Sequence, residues 1–231
     1  MRVSVITFPG SNCDHDAYEV FASKGHQAEL IWHKDTDLKN PDLVVLPGGF
    51  SYGDYLRCGA LARFSPIVSE VLKHATRGGM IIGICNGFQI LTETGLLPGS
   101  LIMNIGLKFI CQNQYIRVES SNSPYTFNIE TGTPLMIPIA HKEGNFYIDM
   151  AGLNKLQDED RIIFRYCNAF GGIDEQSNPN GSIDNIAGIC STNRRVLGMM
   201  PHPERSVTES VPGSDGAMIF AALEEYLTAF S

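Results

Sequence analysis

Cys85 stands between Gly83 and Gly87, where an apolar run over residues 80–84 gives way to a stretch, residues 88–94, that reads as helix. Strand, sharp turn and helix in that order make a nucleophile elbow. The turn residue takes a strained backbone conformation, and its neighbours two positions away must lack side chains so that the chain can double back. Gly83 and Gly87 meet that need. The sulfur would then sit at a helix start, whose unpaired N–H groups and positive dipole end stabilise negative charge. The chemistry such a group supports is attack on a carbonyl carbon. Taken alone, a cysteine closing an apolar strand is more often packing.

A nucleophilic cysteine needs a base that takes its proton and returns it to the leaving group, and a third group that orients the base. His202 and Glu204 have the right types, two positions apart across Pro203. Proline restricts the residue before it to extended conformations, so the two side chains are expected on one face of an extended segment. A lone loop histidine is usually a solvated surface residue; an elbow cysteine together with a downstream H-P-E is much harder to obtain by accident. An acyl-transfer site also needs N–H donors aimed at the developing oxyanion. Asn86, following the nucleophile, offers one, and Gly49, just past an apolar run at 43–46, is expected to offer the second. Two glycines after a strand also make an ordinary tight turn.

The elements that must position these residues alternate through the first part of the chain. Strands are expected at residues 3–8, 26–32, 43–46 and 80–84, with helices at 14–24 and 66–77, the first capped by Ser11 or Asn12 and the second opened by Pro66. That order gives an α/β fold, a mostly parallel sheet with helices on both faces. From residue 97 to about 166 the alternation fails. Short β-like stretches at 101–118, 126–129, 136–140 and 161–166 read as an antiparallel insertion or extension of the sheet. Two more strands, at 186–191 and 196–200, precede the H-P-E loop and a closing helix at 215–230.

At 231 residues the chain is long enough for one large core, and a single domain over residues 1–231 is expected. A net charge of −8 argues against a nucleic-acid partner, which would call for a basic stripe. The six cysteines lie far apart with no C-x-x-C pair, so neither a zinc site nor any other metal centre is signalled, and reduced thiols are expected. The first strand is too short in its apolar part for a signal peptide, and no apolar run approaches the roughly eighteen residues of a membrane span. A cytoplasmic protein without a membrane partner is the expectation.

Three stretches, P-G-G-F at 47–50, G-I-C-N-G-F-Q at 83–89 and P-H-P-E at 201–204, resemble the signatures of the class I, or triad, glutamine amidotransferases. Longer ones, P-G-S-N-C-D at 9–14, G-G-F-S-Y-G-D-Y-L-R-C-G-A at 48–60 and G-M-M-P-H-P-E-R at 198–205, are similar to the glutaminase subunits of phosphoribosylformylglycinamidine synthases. The resemblance implies a flavodoxin-like three-layer fold in which Cys85 attacks the side-chain amide of L-glutamine. His202 protonates departing ammonia and then activates water, Glu204 holds the imidazole, and Gln89 helps hold the substrate. It also implies two partners. A large synthetase subunit uses ATP to convert formylglycinamide ribonucleotide to its amidine in purine biosynthesis, and a small third subunit completes the complex. No cofactor is implied for this chain, and no G-x-x-x-x-G-K-[ST] occurs in it.

One departure stands out: residues 141–144 read H-K-E-G where H-G-E-G is expected from the resemblance. A positive φ at the second position would cost Lys142 about a kilocalorie per mole or more. The departure leaves the roles of His141 and Glu143 open between a place near the active site and one at a partner surface. His141 also reads as a strand-end residue in an ordinary turn and is left off the catalytic set, and Arg57 and Cys58 read as part of a substrate wall or interface. Two rivals remain at this level: a Cys hydrolase of the intracellular-peptidase or stress-protein type, and a binding subunit with an inert Cys85.

Overall fold

The computed structural model describes residues 1–208 and 213–230. In chain order its elements are β1 (Arg2–Thr7), α1 (Asp14–Ala22), β2 (Gln27–Trp32), β3 (Leu43–Leu46), α2 (Pro66–Thr76), β4 (Met80–Ile84) and α3 (Asn86–Glu93). Then come β5 (Ser100–Ile102), β6 (Ile110–Val118), β7 (Pro134–His141), β8 (Asn145–Tyr147), α4 (Met150–Asp158) and β9 (Ile162–Cys167). The last are β10 (Ile186–Cys190), β11 (Val196–Met199) and α5 (Gly216–Ala229). Short 3₁₀ turns punctuate the loops. The chain folds as two compact units, residues 1–98 with 195–198, and residues 99–194 with 199–231.

In the first unit the strands follow the order β2-β1-β3-β4-β11, and β2, β1, β3 and β4 pair in parallel, with Val3 opposite both Ala28 and Leu43, and Leu46 opposite Gly83. This is the strand order of flavodoxin-like sheets. Every residue of β3 and β4 is buried, so both faces of the sheet are covered there, as a wholly apolar strand requires. At the edge, β2 exposes Gln27, Glu29, Leu30 and Trp32. Both β3 and β4 therefore end in a dry interior, and being parallel they deliver the 47–50 turn and Cys85 at the same end of the sheet.

The second unit is antiparallel: β10 pairs with β9, β9 with β6, and β6 with β7, while β5 and β8 form a separate two-stranded ladder. Along β7 the buried residues Leu135, Ile137, Ile139 and His141 alternate with partly exposed ones, the period of a strand with one covered face.

The local reading is corrected at four places. The 101–118 stretch is broken by a loop at 103–109 into β5 and β6. Residues 126–129 form turns, because Thr126 N–H donates to Ser123 O at 3.1 Å and its hydroxyl to Ser120 O at 2.7 Å, and such local bonds compete with a ladder. Helix α4 was not foreseen; Asp149 caps it, Oδ1 accepting from Gly152 N–H at 2.7 Å, while Leu153 and Leu156 bury one stripe. Neither Ser11 nor Asn12 caps α1. Cys13 holds that position without a capping hydrogen bond from its side chain, and Ser11 Oγ accepts from Phe8 N–H at 3.1 Å instead.

Candidate active site

Cys85 has φ 49° and ψ −103°, a conformation that a side chain adopts only under strain, and it is 5% exposed. It sits directly before Asn86, the first residue of α3. The flanking glycines are steric necessities. A Cβ on Gly87 would lie 1.9 Å from Leu46 O, and one on Gly83 would lie 2.5 Å from Leu91 Cδ1 and 2.7 Å from Gly87 O. Helix α3 thus packs hard against the ends of β3 and β4, and the strained elbow is held by its surroundings.

Asn86 is buried, and its carboxamide ties two parts of the unit together. Oδ1 accepts from Ser51 N–H at 3.3 Å, and Nδ2 donates to Gln89 Oε1 at 2.8 Å. The side chain therefore links the elbow to the turn that carries Gly49. Gly49 has φ 137°, and a Cβ there would lie 2.8 Å from Asn12 N, so the position admits only glycine. Beyond it Tyr52 (φ 56°), Asp54 (φ 54°) and Leu56 (φ 72°) continue in left-handed backbone. Tyr52 Oη pins this loop, 2.8 Å from His33 Nδ1 and 2.9 Å from Ser65 Oγ. Arg57 pairs with Glu93 of α3 at 2.7 Å. Gln89 is buried rather than a surface helix residue, and Gly59 of the same loop lies over its backbone, where a Cβ would stand 3.0 Å from the Gln89 carbonyl carbon.

In the second unit His202 and Glu204 are both buried, with His202 Nδ1 2.6 Å from Glu204 Oε1. The expected pair forms, but not on an extended segment. His202 (φ −103°, ψ 82°) opens a 3₁₀ turn over Pro203–Arg205, and the turn folds the carboxylate back onto the ring. The His202 N–H donates to Pro138 O of β7 at 2.8 Å. Gly216 lets α5 start against this turn, since a Cβ there would meet Pro203 O at 2.2 Å.

The same unit holds a histidine that the sequence reading set aside. His141, the last residue of β7, is 3% exposed. Its Nδ1 lies 3.2 Å from Oδ1 of Asn104, a fully buried residue of the 103–109 loop whose Oδ1 also accepts from Gly144 N–H at 3.0 Å. Burial first, and then the nearby charge of His202, push the His141 imidazole down to about 4. Lys142 is absent from the residues with positive φ, so the departure from H-G-E-G carries none of the left-handed strain considered above. A different glycine is needed: a Cβ on Gly144 would lie 2.3 Å from His141 Nδ1.

The six expected site residues therefore form two groups: Cys85, Asn86, Gln89 and Gly49 in one unit, His202 and Glu204 in the other. A sequence profile of the CobB/CobQ-like glutamine amidotransferase domain matches residues 1–214. The chain belongs to this family. Among relatives of this amidotransferase, a protein of Koribacter versatilis named phosphoribosylformylglycinamidine synthase subunit PurQ is 53% identical, over 96% of this chain and 97% of that one. A protein of Ruegeria pomeroyi with the same name is 52% identical over 99% of both. Among solved structures, a chain of PurLQS from Thermotoga maritima matches with a TM-score of 0.86 and 41% identity, covering 98% of each chain. The fold of this amidotransferase is therefore the glutamine amidotransferase fold anticipated from its motifs. Among its described residues, no helix is long and apolar enough to cross a membrane.

Sequence reasoning missed Ser51, whose N–H meets Asn86, and the Asn104–His141 pair. The H-K-E-G stretch was the available signal for the second; nothing in the 103–109 loop pointed to Asn104.

Proposed function

We propose that this chain is the glutaminase subunit of a phosphoribosylformylglycinamidine synthase, its two units acting as one amidotransferase domain. The observation that carries the reading is identity of about one half, over nearly the full length of both chains, to relatives of that name. In this reading the Cys85 sulfur attacks the side-chain carbonyl carbon of L-glutamine, and Asn86 N–H and Gly49 N–H stabilise the oxyanion. Gln89, locked to Asn86, shapes the substrate pocket. His202 takes the thiol proton as the sulfur attacks and gives it to the departing nitrogen, and ammonia leaves behind a γ-glutamyl thioester. The imidazole then takes a proton from water, hydroxide displaces the sulfur, the sulfur takes that proton back from the imidazolium, and glutamate is released, so that glutamine and water become glutamate and ammonia. Glu204 orients the ring and balances its charge in both steps.

Ammonia passes to the large synthetase subunit, which uses ATP to make formylglycinamidine ribonucleotide in purine biosynthesis, with a small third subunit in the complex. The chain itself binds no cofactor in this scheme and works in the cytoplasm. The test is selective labelling in the assembled synthase. A glutamine-like electrophile is expected to alkylate Cys85 alone, while the Cys167 and Cys190 thiols, pushed up by burial to about 11, stay unmodified. Labelling spread over several cysteines, or none at Cys85, would remove the proposed nucleophile.

A further inference from the structure

The Asn104 carboxamide has only one orientation that satisfies its neighbours. Its Nδ2 donates to Lys108 O at 2.9 Å and to His141 O at 3.0 Å, so Oδ1 is the acceptor that takes Gly144 N–H. His141 Nδ1, 3.2 Å from that oxygen, must then carry the ring proton, which leaves a bare lone pair on Nε2. That Nε2 is buried and accepts no hydrogen bond from the described residues. Buried acceptors are rarely left unmatched, and one whose tautomer is fixed by a network of its own calls for a donor from outside the polypeptide. His202 is held to the strand that ends in His141, its N–H donating to Pro138 O of β7 at 2.8 Å, and its charge acts on the His141 ring.

We infer that His141 is a binding residue of the glutaminase site, its Nε2 lone pair accepting an N–H of the ammonia released beside His202. The inference rests on the glutaminase reading and adds to it a ligand contact on the product. The chemistry fits. Ammonia brings three N–H donors and must stay unprotonated to act as a nucleophile in the next step. A neutral ring can hold it by one N–H, whereas an imidazolium in the same place would repel ammonium and protonate ammonia. Burial and the His202 charge keep the His141 ring neutral at physiological pH.

The experiment compares glutamine consumed with amidine formed in synthase reconstituted from all three subunits. His141→Phe keeps a ring and removes the acceptor, and is expected to raise glutamine consumed per amidine at least threefold; His141→Gln, which restores a carbonyl acceptor, is expected to bring the ratio back. An unchanged ratio in His141→Phe overturns the inference. Should that variant fail to assemble, ¹⁵N-histidine NMR of the wild-type chain decides. The inference requires the Nδ1–H tautomer at His141 and an Nε2 resonance that moves when ammonium chloride is added; the other tautomer, or an Nε2 that does not respond because it holds water only, overturns it. Cys85→Ala separates the two levels. Hydrolysis that survives it defeats the glutaminase reading, whereas hydrolysis lost in Cys85→Ala with normal coupling in His141→Phe defeats only the ammonia contact.

Discussion

Glu204 Oε1 lies 2.6 Å from Nδ1 of His202, with both side chains buried and the pair closed by a single 3₁₀ turn. A carboxylate so placed selects the tautomer that leaves Nε2 for proton transfer, and it compensates the imidazolium that forms during the reaction. Glu204→Gln keeps the shape and removes the charge. Its kcat for glutamine hydrolysis is expected to fall by at least about a hundredfold, with KM changed much less. Steady-state kinetics alongside circular dichroism checks this, and a kcat within a few fold of wild type would remove Glu204 from the mechanism.

The elbow makes a prediction about stability. A methyl on Gly87 would sit 1.9 Å from the backbone oxygen of Leu46, which has no rotamer by which to escape. Gly87→Ala is expected to cost about 3 kcal/mol or more, the upper end of overpacking, and to lower Tm by roughly 6 °C or more for a chain of this size. Gly106→Ala, with no described atom within 4 Å of its Cβ, is the control and is expected to stay within about 0.5 kcal/mol of wild type. Thermal unfolding of both variants makes the comparison.

Much of this was legible in the sequence because local rules and tertiary demands agree there. Gly83, Cys85 and Gly87 carry the elbow in their spacing, and the all-apolar runs at 43–46 and 80–84 have no solution other than interior strands. The second unit was harder to read. Its strands are half-covered, and its turns are built by side chains such as Thr126 and Asp149, whose bonds to nearby backbone leave no periodic trace. His202 and Glu204 were paired correctly for an incomplete reason: Pro203 does hold His202 out of the helical region, but the turn after it does the folding back. Asn104 and His141 lie 37 positions apart and meet through two hydrogen bonds, which no local pattern could announce.

The buried His141 also sets a pH dependence. The unfolded chain takes up a proton at this residue near pH 6.5, and the folded chain only near pH 4. Between those values the unfolded state binds more protons, so stability is complete above about 6.5 and is lost as pH falls toward 4. The loss from this residue is expected to reach roughly 3 kcal/mol. His33 and His74, also lowered by burial, act in the same direction. Urea unfolding from pH 7 to pH 4 is expected to give a shallower acid limb in His141→Gln than in wild type; coincident curves would mean that the imidazole titrates alike in both states.

The central claim is that Cys85 generates ammonia and that the partner synthetase consumes it. The direct measurement is amidine formation by synthase reconstituted with Cys85→Ala, supplied with ATP, formylglycinamide ribonucleotide and either glutamine or ammonium chloride. Glutamine-driven synthesis is predicted to fall at least about a thousandfold while ammonium-driven synthesis stays near the wild-type rate. Glutamine-driven synthesis that survives the substitution would contradict the account.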